Sequence, residues 1–587
     1  MTHNNPCLVI LTLTTTLLAT DGLRAGPSRN PTLCNPLDLP YRFQPEPPSR
    51  REAADPTVVF YQGEYWLFAS KSGGYWHSAD FIHWTLVEPT GLPLENYAPT
   101  VEVINGHLFF TTGGAGIYTT DDPARGNWTP ASKEFNAGSD PDLFLDDDGR
   151  LYLYNGCSNQ DPIRGRELDR QQDFKPLGAA VDLIAADTAH RGWEVSLGAG
   201  VVADPLKEIQ APAALFPWIE GAWMNKVGGR YYLQYAAPGT QFDYYGDGVY
   251  VGNHPLGPFT YEPGNPFSCK PTGFARGAGH GSTFKDAKGN YWHIGTITIS
   301  KRHIFERRLG VYPVRFFPDG QMACNTCLGD YPQYPPGVAE YPFTANSPGW
   351  MLLSLDQPVQ ASSELPDHPA RLAVDENLHD WWSAATGHPG EWLRVDLGSV
   401  CQIEALQLNF ADEGATQLDR LRGDAYRYRV EVSTDGVQWQ TLLDRKDNTR
   451  DTPHEYAQLD APVPGRHVRV TNLHTPAGAC FSLSGLRIFG HAPGAKPGAV
   501  RQVTAQRKTG DGRRAHLSWT ASPGAEFYIV RYGVKPDRLC SNYQVYHTTN
   551  LDLTALNTGA PYFVTVDAVN ASGLAPGPAP VAVADVH

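Results

Sequence analysis

One hairpin pattern recurs five times in the first 345 residues, and it limits the folds open to this chain more than any other feature. Each copy has an extended apolar stretch, a tight turn ending in glycine and an aromatic-rich strand, which is typical of a β-hairpin. The copies read PTVVFYQGEYWLFAS, PTVEVINGHLFFTTG, PDLFLDDDGRLYLYNG, GAWMNKVGGRYYLQYA and GSTFKDAKGNYWHIGT. The turn glycines are Gly63, Gly106, Gly149, Gly229 and Gly289, at intervals of 43, 43, 80 and 60 residues. These intervals fit four-stranded blades with insertions in two of them, so we predict a five-bladed β-propeller in an all-β chain.

The same repeat indicates where chemistry is concentrated. Eight or nine residues before each turn glycine lies the start of the first hairpin strand, and these positions hold Asp55, Ala98, Asp140, Glu220 and His280. The first strand of a propeller blade usually lines the central channel, so equivalent positions converge at one end of the axis. A single carboxylate at a strand start is ordinarily a solvated turn residue. Three in register, with a histidine, predict one acidic funnel.

Three carboxylates in a funnel suit the hydrolysis of a glycosidic bond, which needs one protonated acid and one ionised partner. Glu220 is our candidate acid, because Trp218 and Trp223 flank it and an apolar setting raises a carboxyl pKa. Asp55 starts a blade on another side of the axis, which leaves room for a water, and is our candidate base for an inverting displacement. Asp140 then orients and tunes Glu220.

Aromatic side chains near these strand starts are candidates for stacking on sugar rings. Most aromatic residues of a propeller are core, and that alternative applies to each of them. With His280, the candidate substrate-binding residues are Trp76, Tyr97, Trp218 and Trp223, and Tyr244 and Tyr245 are further candidates for stacking.

Other carboxylates and motifs compete less well. The residues directly before Gly149 fit a hairpin turn, and these are Asp146, Asp147 and Asp148. Glu102 lies mid-strand and could face either side. Glu194 lies in an insertion to which the sequence assigns no fold. The chain has no GxxxxGK[ST], no GxGxxG between strand and helix, and no GxSxG. With 47 Lys and Arg against 62 Asp and Glu, the net charge of −15 would repel a phosphate backbone, so we expect no nucleic-acid partner.

The stretches around the three carboxylates resemble a known family. ADPTVV at Asp55, SDPDLFLDDDG at Asp140 and IEGAWMNKVGGRYYL at Glu220 are similar to the catalytic stretches of family 43 glycoside hydrolases, over residues 40–345. The resemblance implies an Asp base, an Asp that modulates pKa, a Glu acid and no catalytic cofactor. GHGSTF at His280 is similar to a further motif, in which the histidine lies near the axis. Ala222 stands where the family commonly has Pro, so the arabinofuranosidase, xylosidase, arabinanase and galactanase activities all stay open.

Residues 352–490 change in character and resemble the discoidin, or coagulation factor 5/8 type C, family, especially its carbohydrate-binding members. The strand pattern with a turn at STDG predicts a β-sandwich. Asp375, with Asn377 and Asp380 nearby, lies where such domains often hold a structural calcium, and an Asx-turn is the alternative. The residues that carry the resemblance are Ala361, Ser362, Ser363, Asp375, Trp382, Glu391, Trp392, Asp396, Leu397, Gly398, Ser433, Asp435, Gly436 and Trp439.

A Pro/Gly-rich linker over residues 491–500 leads into residues 501–587, which resemble a fibronectin type III domain. Trp519, Tyr528, Leu556 and Tyr562 take that family's core positions, with Tyr562 as the corner tyrosine. We expect this domain to act in spacing or adhesion.

The first 25 residues read as an export signal, because Cys7–Ala19 is an apolar run too short to cross a bilayer and Ala25 ends a small-residue cleavage pattern. We therefore expect a secreted, periplasmic or extracellular protein with no membrane span after signal removal. Eight cysteines then remain, and we expect a disulfide from Cys34 to Cys324 or Cys327.

These inferences combine into one hypothesis. The protein is expected to be a secreted, inverting glycosidase that cleaves terminal bonds of a plant- or algal-type polysaccharide or oligosaccharide, held near its substrate by the discoidin module. One alternative is a catalytically inactive carbohydrate-binding or adhesion protein, and another is a related propeller hydrolase with a retaining mechanism.

Overall fold

Five four-stranded antiparallel sheets follow one another along the first part of the chain in the computed structural model. The structure describes residues 29–132, 134–195, 217–416, 424–476 and 478–585. The sheets, which we call blades 1 to 5, are β1 (Ala54–Tyr61), β2 (Glu64–Ser70), β3 (Tyr75–Ser78) and β4 (Thr85–Val87); β5 (Thr100–Ile104), β6 (His107–Thr111), β7 (Ile117–Thr120) and β8 (Thr129–Ser132); β9 (Asp142–Leu145), β10 (Leu151–Asn155), β11 (Ile163–Asp169) and β12 (Lys175–Ile184); β13 (Glu220–Val227), β14 (Arg230–Ala237), β15 (Gly246–Gly252) and β16 (Phe259–Tyr261); and β17 (Gly277–Lys285), β18 (Tyr291–Thr298), β19 (Arg307–Phe316) and β20 (Met322–Cys324).

The blades close into a ring. The first strand of each blade contacts the first strand of the next, from β1 through β5, β9, β13 and β17 and back to β1. The predicted five-bladed β-propeller is therefore confirmed. Each of the five turn glycines has φ between 78° and 86°, a left-handed conformation that disfavours residues with a Cβ, which is why glycine marks the repeat.

The core lies between neighbouring blades. One apolar cluster joins blade 1 to blade 5, a second joins blades 1 and 2, a third joins blades 2 and 3, and a fourth joins blades 4 and 5. The fifth joins blades 3 and 4 and continues into the C-terminal residues. Since each blade buries apolar side chains against both neighbours, the first strands stay fixed around the axis.

Residues beyond the propeller form eight hydrogen-bonded strands in the order β21-β28-β24-β27-β25-β26, with β22 pairing β24 and β23 pairing β28. Buried residues from most of these strands share one apolar core. The strands are β21 (Met351–Leu352), β22 (Val359–Ala361), β23 (Trp382–Ser383), β24 (Trp392–Phe410), β25 (Arg427–Ser433), β26 (Gln440–Asp444), β27 (His454–His474) and β28 (Ser482–His491).

The last described residues form a second sandwich, with sheets β29-β30-β33 and β32-β31-β34-β35, the latter extended by β36 on β34. The Tyr562 hydroxyl accepts the Asn557 N–H at 3.1 Å, as a corner tyrosine does. The fibronectin type III assignment stays a prediction. The strands are β29 (Arg501–Lys508), β30 (Asp511–Thr520), β31 (Phe527–Gly533), β32 (Ser541–Tyr546), β33 (Asn550–Leu553), β34 (Phe563–Asn570), β35 (Gly573–Ala575) and β36 (Val581–Ala582).

This C-terminal sandwich packs directly on the propeller, which argues against a free spacer. The Asn557 amide donates to the Pro263 and Asn265 carbonyls at 3.1 and 2.9 Å, and the Thr554 hydroxyl lies 3.0 Å from the Tyr244 hydroxyl. Residues 31–587 accordingly form one compact unit. Helical structure in the described residues includes short 3-10 turns at Pro123–Arg125, Gly192–Glu194 and Ala370–Ala373.

The expected disulfide is wrong. Cys34, Cys324 and Cys327 are free, as are the other cysteines of the described residues. Cys34 instead lies with its Sγ 3.2 Å from the Asp330 carbonyl and 3.6 Å from Nη1 of Arg487, so it is a buried packing residue where propeller and discoidin-like domain meet.

The export signal falls on residues 2–28, which lie outside the described residues, and it stays a prediction. Among the described residues, no helix has the length and apolar character needed to cross a bilayer.

Candidate active site

The equivalent positions of the blades share an unusual backbone. Asp55, Ala98, Asp140 and His280 have φ of 51°, 53°, 46° and 42°, and in blade 4 the residue after Glu220, Gly221, has φ of 64°. For a residue with a Cβ this left-handed conformation costs roughly 1–3 kcal/mol, and such strain concentrates at functional sites. The strand pairing of blades 1, 4 and 5 is also irregular at these positions. A repeated bulge at the strand start thus aims side chains away from the ordinary sheet faces.

These side chains meet in one cavity of about 810 Å³ at an end of the propeller axis. Asp55, Asp140, Glu220 and His280 all line it, so the structure brings together the four residues that the repeat singled out. Other lining residues are Lys71, Glu95, Tyr97, Cys157, Trp218, Ile304, Phe305 and Arg307.

His280 lies between the three carboxylates. Its Nδ1 is 3.3 Å from Oδ1 of Asp55, 3.8 Å from Oδ2 of Asp140 and 3.9 Å from Oε1 of Glu220. Burial alone would lower the pKa of this imidazole, but the Asp55 carboxylate, the hydrogen bond to Glu220 and the Asp140 carboxylate outweigh it and raise the pKa to about 10. His280 is therefore an imidazolium at neutral pH, and its charge partly balances the funnel.

One carboxylate oxygen of Asp140, one of Glu220 and the Sγ of Cys157 all lie within 4.8 Å of one another. Burial, and then the charges of Glu220 and Asp55, raise the pKa of Asp140 to about 7. For Glu220 burial acts in the same direction, yet hydrogen bonds from His280, Tyr245 and Cys157 outweigh it and lower its pKa. Two adjacent carboxyl groups in such a site share one proton, and here the donors around Glu220 leave that proton on Asp140.

The expectation that the flanking tryptophans raise the pKa of Glu220 is therefore wrong. Trp223 donates its Nε1–H to the Thr283 carbonyl at 3.2 Å, between the first strands of blades 4 and 5, and lies outside the cavity lining. Trp218 lines the cavity but is 39% exposed, so it desolvates the carboxylate incompletely. His280, together with two donors that the sequence did not reveal, decides the direction of the pKa shift.

Tyr245 and Cys157 are the donors that sequence reasoning missed in this role. The fully buried Tyr245 hydroxyl donates to Oε1 of Glu220 at 2.6 Å, and the Cys157 thiol lies 3.4 Å from Oε2. Tyr245 was a stacking candidate on its sequence position alone. Its burial behind Glu220 makes it a positioning residue instead.

Asp55 is held by a second set of donors. The Ser70 hydroxyl donates to its Oδ2 at 2.6 Å, and Nη1 of Arg307 donates to its Oδ1 at 3.1 Å. Arg307 also bonds Glu52 at 2.8 Å, and these two carboxylates more than offset burial and raise the pKa of its guanidinium. The equivalent position of blade 2 holds Ala98 in place of an acid, and the Ala98 N–H donates to the Ser70 oxygen at 2.7 Å and so orients the Ser70 hydroxyl.

The aromatic candidates divide into two groups. Tyr97 and Trp218 line the cavity, and Nζ of Lys71 lies 4.8 Å from the centre of the Tyr97 ring. Trp76 and Tyr244 do not line the cavity. Trp76 is fully buried in the core between blades 1 and 5, and the Tyr244 ring packs 5.9 Å from Tyr543 of the C-terminal sandwich, so the substrate-binding role proposed for Trp76 and for Trp223 is wrong.

The competing carboxylates all have structural partners outside the cavity lining. Asp146 accepts from Lys226 and Tyr231 at 2.5 and 2.6 Å. Glu102 accepts two backbone N–H groups, and burial raises its pKa to about 7. Glu194 is fully buried and pairs with Arg191 at 3.0 Å.

The candidate calcium position in the discoidin-like domain has oxygen donors in place. The Asn377 N–H donates to Asp375 at 3.1 Å, which is the Asx-turn, and its side-chain amide donates to Asp380 at 2.9 Å. Burial, and then the Asp380 charge, raise the pKa of Asp375 to about 8. Oδ1 of Asp380 is buried with no hydrogen-bond partner among the described residues. Two adjacent carboxylates with an unused oxygen fit a hard cation that prefers oxygen ligands.

Comparison with known proteins agrees with both family resemblances. Residues 45–322 match the family model described as glycosyl hydrolases family 43, and residues 358–484 match the F5/8 type C domain.

Three curated relatives are similar over part of their length. A xylosidase/arabinosidase of Butyrivibrio fibrisolvens is 28% identical over 195 residues, covering 29% of this chain and 32% of the relative. A beta-xylosidase of Xylanibacter ruminicola is 29% identical over 159 residues, covering 24% and 42%. An arabinoxylan arabinofuranohydrolase of Paenibacillus polymyxa is 28% identical over 316 residues, covering 43% and 46%. The chain thus spans less than half the length of each relative. The propeller, over residues 45–322, thus matches the glycosyl hydrolases family 43 model, and an F5/8 type C domain follows it.

Proposed function

We propose that this protein hydrolyses terminal glycosidic bonds of a plant- or algal-type polysaccharide or oligosaccharide, with inversion at the anomeric carbon. The observation that carries the proposal is the single cavity in which Asp55, Asp140 and Glu220 surround His280. The names of the relatives favour xylosyl or arabinofuranosyl residues as the sugar that is released.

In the proposed reaction, Asp55 takes a proton from a water as that water attacks the anomeric carbon. The bond from that carbon to the leaving oxygen breaks, and Glu220 gives the leaving oxygen a proton. The sugar leaves as a hemiacetal of inverted configuration and the remainder leaves as an alcohol. Asp55 then loses its proton to solvent, and Glu220 is protonated again.

The proton that Glu220 delivers comes from the pair it forms with Asp140. Asp140, with a pKa of about 7, is about half protonated at neutral pH, and its carboxylate lies within 4.8 Å of that of Glu220, so a short transfer places the proton on Glu220. His280 carries positive charge next to both groups and favours the ionised form that Glu220 reaches after donation.

The separation of the acid and the base bears on the stereochemistry. Oδ1 of Asp55 and Oε1 of Glu220 lie 3.3 and 3.9 Å from the same His280 nitrogen, so these two oxygens are at most about 7 Å apart. That limit allows the roughly 6.5–9.5 Å of inverting enzymes as well as the roughly 5–5.5 Å of retaining ones. The first anomer released, followed by NMR, tests inversion, because a retaining enzyme would release the other.

For the F5/8 type C domain we propose carbohydrate binding close to the substrate and a structural calcium at Asp375. Linking a binding module to a catalytic one raises the local concentration of substrate. The asparagine and the two carboxylates described above would hold the ion through oxygen atoms.

A panel of aryl xylosides, arabinofuranosides and galactosides tests the activity directly. We expect turnover of at least one, and loss of at least about 10³-fold in kcat for Glu220→Gln, since the amide cannot donate the acid's proton. Glu340→Gln is the matched control, because Glu340 is exposed and pairs only loosely with Lys288 at 3.9 Å. A wild-type protein that binds polysaccharide without turning over any glycoside would support the inactive binding protein instead.

A further inference from the structure

The loop of residues 299–306, between β18 and β19 of blade 5, has one side in the active-site cavity. Ile304 and Phe305 line the cavity, and the Phe305 ring lies 5.6 Å from the ring of Tyr97. Arg307 directly follows the loop, and its Nη1 donates to Oδ1 of Asp55 at 3.1 Å. The guanidinium carbon of Arg307 lies 4.8 Å from the Phe305 ring centre. The position of this loop therefore decides both a wall of the cavity and the setting of the candidate base.

The other side of the same loop is held by the F5/8 type C domain. Nη2 of Arg302 donates to the Ala411 and Asp412 carbonyls at 3.0 and 2.8 Å. Nζ of Lys301 lies 4.7 Å from the ring centre of Trp381. Nδ1–H of His379 donates to the Ile299 carbonyl at 2.6 Å.

The surface that receives the loop is itself fixed. The Trp381 ring stacks on His368 at 4.3 Å, and its Nε1–H donates to Glu413 at 3.1 Å. The Asp412 carboxylate is buried and accepts two bonds from the propeller's Arg51, at 2.7 and 3.1 Å. Charge-assisted bidentate pairs of this kind hold a geometry firmly.

Inside the loop, hydrogen bonds connect the two sides. The Glu306 carbonyl accepts the Ile299 and Ser300 N–H groups at 3.0 Å, and the Glu306 carboxylate accepts the Arg302 N–H at 3.0 Å. The Ser300 hydroxyl donates to the Ile304 carbonyl at 3.0 Å. Because the loop is closed on itself, a shift at Arg302 carries Ile304 and Phe305 with it.

We propose that the F5/8 type C domain is a structural part of the active site, with Arg302 as the positioning residue through which it sets the cavity wall of Ile304 and Phe305 and thereby substrate selectivity. This rests on the proposed function. It differs from a carbohydrate-binding role, because a binding module acts only on a polymer that it can hold. A domain that shapes the cavity also affects a small soluble substrate.

The test compares Arg302→Ala and Trp381→Ala with wild type on aryl xylosides and arabinofuranosides. We expect KM for the better substrate to rise about tenfold and the ratio of kcat/KM between the two sugars to change, because displaced wall residues affect two sugar shapes unequally. Partial unfolding would lower kcat on both substrates equally and leave KM and the ratio unchanged. Arg466→Ala is the matched control, since Arg466 pairs with Asp396 of its own domain and should behave as wild type.

Hydrogen exchange of the peptide covering residues 299–307 gives a readout that does not depend on catalysis. We expect faster exchange in Arg302→Ala than in wild type or Arg466→Ala, with an unchanged melting temperature. Unchanged exchange, or faster exchange with unaltered KM and selectivity, overturns the proposal. A wild-type protein with no glycosidase activity would overturn the proposed function, while the exchange result still decides whether the domain orders the loop.

Discussion

Replacing Tyr245 by Phe tests the proton arrangement of the active site, because it removes one hydroxyl and leaves the shape of a fully buried side chain intact. The lost interaction is the 2.6 Å hydrogen bond to Oε1 of Glu220. A hydrogen bond to a charged group contributes roughly 1.5–3 kcal/mol, which corresponds to about one to two pKa units.

The direction of the effect follows from the protonation state of Glu220 that the Tyr245 hydroxyl stabilises. Tyr245 stabilises ionised Glu220, so its removal raises the pKa of Glu220 and the pair with Asp140 keeps its proton to higher pH. Activity that requires that proton declines on the alkaline side near pH 7 in wild type, since the pKa of Asp140 is about 7. In Tyr245→Phe we expect the alkaline limb of kcat/KM to move up by about one unit or more.

The assay is the pH dependence of kcat/KM on an aryl glycoside. The neighbouring Tyr244→Phe is the control, because the Tyr244 hydroxyl contacts Thr554 of the C-terminal sandwich and no carboxylate. An alkaline limb that stays in place or moves to lower pH in Tyr245→Phe would refute the shared-proton account of Asp140 and Glu220.

Three further predictions concern backbone, core and cation. Gly221→Ala should lower kcat/KM by about 10²-fold, because Gly221 has φ of 64° and a Cβ there would lie 2.7 Å from Cδ2 of His280. Wild-type kinetics in this variant would contradict the role of the bulge at the start of β13. Trp76→Ala should lower the free energy of unfolding by about 3–5 kcal/mol in denaturant titrations, as a buried core residue does, and a change in KM without lost stability would argue against its core position. With chelator present, the melting temperature should fall as the pH rises from 5 to 8. The pKa of Asp375 in the folded protein is about 8, which exceeds its unfolded value, so the folded state loses stability as this carboxyl group is deprotonated. Calcium should remove this pH dependence and Asp375→Asn should abolish the calcium effect, whereas identical melting curves with and without calcium would exclude the site.

Much of the propeller was determined by the sequence alone. The hairpin repeat is local, because alternating apolar residues and a glycine with positive φ specify strand and turn without reference to distant residues. Counting five copies gives five blades, and counting back from Gly63, Gly149, Gly229 and Gly289 places Asp55, Asp140, Glu220 and His280 at equivalent strand starts. Their meeting in one cavity is a consequence of that equivalence.

The pKa of each site group was decided only by tertiary structure. Trp218 and Trp223 suggested an apolar setting for Glu220, yet His280 first, and then Tyr245 and Cys157, 25 and 63 residues away, lower its pKa. Arg307 likewise reaches Asp55 across 252 residues, and no spacing in the sequence indicated this hydrogen bond. Charges and donors act over a few ångströms in space, and nothing in the local pattern of a strand specifies which distant side chains come that close.

Aromatic roles and domain contacts divide in the same way. Trp76 and Tyr97 look equally suitable in the sequence, but the first lies between blades and the second lines the cavity, because the face of a strand that is buried depends on the neighbouring blade. The Pro/Gly-rich segment over residues 491–500 predicted only a linker, whereas in the structure the C-terminal sandwich shares an apolar core with blades 3 and 4 and the F5/8 type C domain holds the 299–306 loop. Periodicity is a property of a single segment and can be recognised from the sequence of that segment alone. Burial, protonation and contact between domains are properties of the surfaces that meet, and only the folded arrangement decides them.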